Sequence, residues 1–196
     1  MKTIERGEVL GLAEYETIRP HFRARVIDEK KRRRVAVGPR ATALFENRDT
    51  VLLQIQEMLR TERITRDAAI QHEIDTYNEF IPGDRELSCT VMLEIDDKDE
   101  REAFLVEARG IEDAFAIVVD GERAASHTTP DRLLPDRASA VIYLKMKLSE
   151  RAAEAVKAAA RGEAHAIALE VDHAAYRASA TLSREVIAAL AEDLAG

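Results

Sequence analysis

Apolar positions follow a helical period through much of the first 80 residues and a period of two after Glu86. Val51, Leu52, Ile55, Met58 and Leu59 fall at i, i+1, i+4, i+7 and i+8, one face of a helix running to about Arg63. Asn47 or Asp49 is placed to accept hydrogen bonds from its first free amides. Thr65 caps a further helix to about Glu79, which Pro82-Gly83-Asp84 ends. Upstream, Thr3 opens a short helix, Ile4–Leu12, and Ala13–Ile18 gives another. That one stops at Arg19, because a residue before proline is pushed out of the α region. Pro20 then starts a helix to about Arg32, with Phe22, Val26 and Ile27 on a narrow apolar stripe. Arg34–Val37 and Ala41–Phe45 read as short strands around a Gly38-Pro39 turn.

The second half alternates. Leu87, Cys89, Val91, Leu93 and Ile95 share one face of a strand, Leu87–Ile95. Asp97-x-x-Glu100 reads as a capping box opening a helix to Arg109, closed by Gly110. Strands Ala114–Val119 and Glu122–Ala125 flank Asp120-Gly121, a hairpin turn. His127–Arg137, with Pro130 and Pro135, is a loop. The order then recurs as strand Ser139–Leu148, helix Ser149–Arg161, strands Ala164–Val171 and Ala174–Leu182, and a last helix Arg184–Leu194. Shifted by 50, Val91–Ala125 matches Val141–Ala175 at 11 of 35 positions, although six of these are Ala. The expected fold is α+β. A helical N-terminal half, residues 1–85, precedes a mostly antiparallel sheet, residues 86–196, built from a duplicated β-α-β-β unit.

Charge adds an asymmetry. The chain of 196 residues carries −8, yet residues 19–48 hold ten Lys/Arg against three acids. That leaves +7 on this segment and −15 on the rest. Such segregation steers an anionic partner to one face, or docks one part of the protein on another. The segment therefore supplies the candidate binding residues: Arg23, Arg25, Lys31, Arg33, Arg34, Arg40, Asn47 and Arg48. Arg offers a bidentate fork to carboxylate or phosphate. An acidic body and only 5% aromatic residues speak against nucleic acid. Gly38-Pro39-Arg40-Ala41-Thr42 lacks the spacing of a phosphate-binding loop.

One cysteine, Cys89, excludes an intrachain disulfide and a thiolate cluster, and its apolar strand face marks it as a packed thiol. The charged N-terminus lacks a leader's apolar core, and no apolar run reaches 18 residues, so a cytoplasmic location is expected. His72, Asp75 and Glu79 share a helix face, but the paired Glu-x-x-His of a di-iron bundle is missing, so no metal site is assigned. No catalytic residue or cofactor is assigned either. Glu57, His72 and Tyr77 are weaker candidates for a pocket between the helical and β-rich halves, where Arg23 and Arg40 would join them.

The stretch RPHFRARVIDEKKRRRVAVGPRATALFENRDTVLLQIQEMLRTERI, with Tyr77-Asn78, Ile81-Pro82 and Val91-Met92-Leu93-Glu94, resembles a bacterial family catalogued only as a domain of unknown function. Genes of that family are often found beside those for rubrerythrin and a cysteine-rich iron–sulfur oxidoreductase. The resemblance thus implies a link to peroxide or redox metabolism. Lacking a cysteine cluster, the chain would be a partner of such proteins and not the electron carrier. The expectation is an accessory or binding protein that engages an acidic partner or anionic ligand through its basic segment. A small-molecule enzyme and a structural homodimer are the alternatives.

Overall fold

The computed structural model describes residues 1–129 and 132–195, so Pro130 of the expected loop lies outside the described residues. Among the described residues, six helices and eight strands follow one another: α1 (Leu12–Lys31), β1 (Arg34–Val37), β2 (Ala41–Phe45), α2 (Arg48–Thr61), α3 (Asp67–Asn78), β3 (Glu86–Leu93), α4 (Lys98–Glu107), β4 (Phe115–Val119), β5 (Glu122–His127), β6 (Val141–Lys147), α5 (Glu150–Ala160), β7 (Ile167–His173), β8 (Tyr176–Thr181) and α6 (Arg184–Ala195). Short 3-10 turns occupy Arg6–Glu8 and Ile111–Asp113. The α+β class and the antiparallel sheet match the sequence reading. No described helix is long and apolar enough to cross a membrane.

The strands form one sheet in the order β1-β2-β3-β6-β5-β4-β7-β8, every neighbour antiparallel. It curls until β1 lies beside β8, which makes it nearly a barrel. At that seam Tyr176 Oη donates to the Val37 carbonyl (2.5 Å) and accepts from the Arg40 amide (3.1 Å). Gly38 is required here. Its φ is +71°, and an added Cβ would lie 2.6 Å from Tyr176 Oη.

Alternation divides the sheet's faces between two cores. Ala43, Phe45, Cys89, Val91, Ile142 and Leu144 face one core, which α4, α5 and α6 complete with residues such as Phe104, Val156 and Leu190. The other face carries Leu44, Ser88, Thr90, Tyr143 and Lys145. There α2 and α3 build a second core from Val51, Ile55, Leu59, Ile70, Ile74 and Phe80. Cys89 sits in the first core, where burial pushes its thiol pKa up.

Three expectations need correction. The first 85 residues are mainly helical but do not stand apart as a half, because β1 and β2 enter the common sheet and β2 pairs with β3. The three short N-terminal helices are instead a 3-10 turn and one helix, α1, running through Pro20. Proline there forfeits a single hydrogen bond, and ties to α2 hold the helix on both sides of it: Arg19 with Glu57, and Arg25 with Asp49. Finally, the order β-α-β-β does occur twice, but not as an equivalent duplicate. After α4 and after α5 the chain moves three places along the sheet. Hairpin β4–β5 then turns back towards β6, whereas β7–β8 turns outward.

Candidate functional site

The sheet splits beside β6. On one side β6 pairs with β3 through seven residues, Val141–Lys147. On the other, β5 pairs only at Ser126–Met146 and His127–Lys145, and the chain then departs through Thr128. The stretch Val141–Leu144 therefore has a strand partner on one side only. Main-chain polar groups freed in this way need other partners.

A cavity of about 260 Å³ lies over this split, between the end of α3 and the sheet. Its floor is aromatic: the Phe80 and Tyr143 rings stack with centroids 4.2 Å apart at 20°. Tyr77 meets Phe80 edge-on at 5.7 Å. The Arg132 guanidinium lies 4.5 Å from the Phe80 centroid and 5.5 Å from that of Tyr143, and it pairs with Glu79 at 2.8 Å. Lys145 Nζ donates to Glu86 Oε2 (2.8 Å) and to the Ile81 carbonyl (3.2 Å). His127 Nε2 stands 3.9 Å from Glu86 Oε1, and Ser88 lines the wall next to Lys145.

The electrostatics follow from partial burial. Burial pushes the Glu86 carboxyl up, but hydrogen bonds from Lys145 and the Gly83 amide outweigh it and hold the group below the usual carboxylate range. Burial raises the Tyr143 phenol, helped by the charge of Glu46. Glu46 is only 2% exposed and is held by the hydroxyls of Thr50 and Thr90 (2.6 Å for Thr90). Burial also raises Tyr77. Shifted groups around an apolar floor with convergent polar side chains are the pattern of a ligand site.

A neighbouring cavity of about 150 Å³ shares Thr128, Arg132 and Tyr143 with the first and reaches Glu112. A larger space, about 390 Å³, lies beside α5. Its Asp120 carboxylate is committed to His165 Nδ1 (2.6 Å) and the Ala166 amide (2.9 Å), which ties the β4–β5 turn to β7. Among the described residues, no three His, Cys, Asp or Glu side chains gather as a metal site.

The residues singled out from sequence are dispersed. Arg33 is 1% exposed and bonds Asp193 through two nitrogens (2.5 and 2.9 Å) and Glu29 at 2.5 Å. Arg25 pairs with Asp49, Lys31 with Asp28, Arg40 with Glu100 and Arg48 with Glu8. Asn47 caps α2, accepting from the Thr50 amide at 2.9 Å. Arg23 and Arg34 are exposed. Glu57 binds Arg19 and Tyr15, and His72 lies exposed on α3. Of the pocket candidates only Tyr77 borders the cavity's floor. Sequence reasoning missed Phe80, Glu86, Ser88, Glu112, Arg132, Tyr143 and Lys145. The available signal was polar alternation in Val141-Ile142-Tyr143-Leu144-Lys145, which puts Tyr143 and Lys145 on the face opposite the apolar one.

Comparison with known proteins agrees with this picture of the fold. A search of curated proteins gives no match. A crystal structure described as a novel protein of unknown function from Burkholderia pseudomallei is 33% identical, with a TM-score of 0.89. The similarity covers 98% of this chain and 100% of that one. The sequence profile of a family described as "Protein of unknown function (DUF3501)" matches residues 3–194, and the chain belongs to that family.

Proposed function

We propose that the protein binds a small organic molecule in the groove between the end of α3 and the split at β6. One observation carries this reading: the stacked Phe80–Tyr143 pair, with the Arg132 guanidinium over it, lines a cavity together with Lys145 and His127. At about 260 Å³ the space sits just below the ~300–1,000 Å³ usual for ligand pockets, which suits a ligand the size of one substituted ring. Stacking or edge contact with the floor would supply affinity, and the charged rim would set orientation. The basic segment enters only indirectly, since much of its charge is matched within the chain.

Saturation-transfer NMR with 3-phenylpropanol, 3-phenylpropionate and phenethylamine tests the reading. At least one probe should show transfer to its ring protons, reduced in Tyr143→Ala and in Phe80→Leu. Absence of transfer for all three, or transfer unchanged in both variants, contradicts it.

A further inference from the structure

We propose that Glu112 receives a protonated amine, so that the groove's ligand is a small cation with an aromatic or apolar body. The inference rests on the binding role just proposed and specifies its ligand class. Charges along the two adjoining cavities, which share Thr128, Arg132 and Tyr143, are otherwise matched. Lys145 is paired with Glu86, and Arg132 with Glu79. His127 lies beside Glu86. Glu112 is different. It is 5% exposed, it lines the smaller cavity, and among the described residues its carboxylate makes no hydrogen bond or ion pair. Its main-chain carbonyl, by contrast, accepts from Ser126 Oγ at 2.6 Å, which fixes the 3-10 turn under β5. A carboxylate is thus held in place by its backbone while its charge is left unmatched.

A carboxylate on so enclosed a residue, reaching solvent only through what little of the residue is exposed, is incompletely hydrated, and proteins ordinarily satisfy such groups. A cationic ligand group would satisfy this one. The aromatic pair points the same way, since the faces of Phe80 and Tyr143 already attract the Arg132 guanidinium. An anionic ligand would meet the Glu79 and Glu112 carboxylates, while the Arg132 and Lys145 cations beside it are already engaged by carboxylates of the chain.

Isothermal titration with phenethylamine and its neutral counterpart 3-phenylpropanol reads this directly. The amine should bind at least about tenfold more tightly, as expected for a charge-assisted bond. Glu112→Gln should reduce its affinity to that of the alcohol. Glu112→Gln should also melt no lower than the wild type, because no internal bond of the carboxylate is lost. Equal affinities for amine and alcohol, with no effect of Glu112→Gln, overturn the Glu112 assignment and leave the groove standing. A marked drop in melting temperature in Glu112→Gln overturns it too, since it would reveal an internal role for the carboxylate. Failure of both probes to bind removes this inference, and the groove reading falls with it only if 3-phenylpropionate also fails to bind.

Discussion

Arg33 shows how a residue's environment rewrites its meaning. In the sequence it stands in the run Lys30–Arg34, indistinguishable from its solvated neighbours. In the structure its guanidinium is enclosed between Glu29 and Asp193 and clamps α6 to the end of α1. Removing one member strands buried charge. Arg33→Met should therefore cost about 3–5 kcal/mol in urea unfolding, and adding Asp193→Leu should recover much of the loss. A cost below about 1 kcal/mol would show the pair to be solvated. Glu57 makes a prediction about pH. Hydrogen bonding from Arg19, opposed by partial burial and aided by Tyr15, holds its pKa down to about 2 from an ordinary 4.5. A folded-state pKa below the unfolded one gives stability that is fully present above about 4.5 and lost as pH falls towards 2. The difference in melting temperature between wild type and Glu57→Gln should shrink across that window. A constant difference would contradict the assignment.

At the scale of elements, much of the secondary structure was legible because it rests on local rules. Asn47 caps α2, Ser149 caps α5, and Asp120-Gly121 turns β4 into β5. The failure was α1. Its apolar stripe is thin, with only Tyr15 and Val26 buried, so periodicity gave little reason to read a helix through Pro20. What sustains it is lateral, in the ion pairs of Arg19, Arg25 and Glu16 with α2. Pro20 is exposed and breaks one backbone bond within that helix. Pro20→Ala should stabilise the protein by up to about 3 kcal/mol, less what the freer unfolded chain takes back. Thermal unfolding checks this, and a destabilised variant would mean that the packing of α1 depends on the proline. The groove escaped detection for a related reason. Phe80, Glu112, Arg132 and Tyr143 come from four separate segments, and only the non-sequential order β3-β6-β5 brings them together. No local pattern encodes that order.

The whole molecule is a curled sheet with a core on each face, and its two weak lines differ in character. The β1–β8 seam is sealed by Tyr176 and by the absence of a side chain at Gly38. Gly38→Ala combines a strained positive φ with contacts at 2.6 and 2.8 Å, and should destabilise by several kcal/mol, roughly 1–3 from backbone strain alone. Tyr176→Phe keeps the ring against Phe104 but loses both seam bonds, at about 1–3 kcal/mol. Denaturant melts of the two variants separate these contributions, and a neutral Gly38→Ala would mean the seam is slack. The β5–β6 split, in contrast, is left open and lined with aromatic and charged side chains. That contrast between a sealed seam and an open one is the physical basis for placing the function at β6. Amide shift mapping of the ¹⁵N-labelled protein during titration with phenethylamine tests the placement most directly. The shifts should cluster at Ser88, Glu112, His127–Thr129 and Tyr143–Lys145. Shifts confined to the Asp120–His165 trough, or none at millimolar probe, would contradict it.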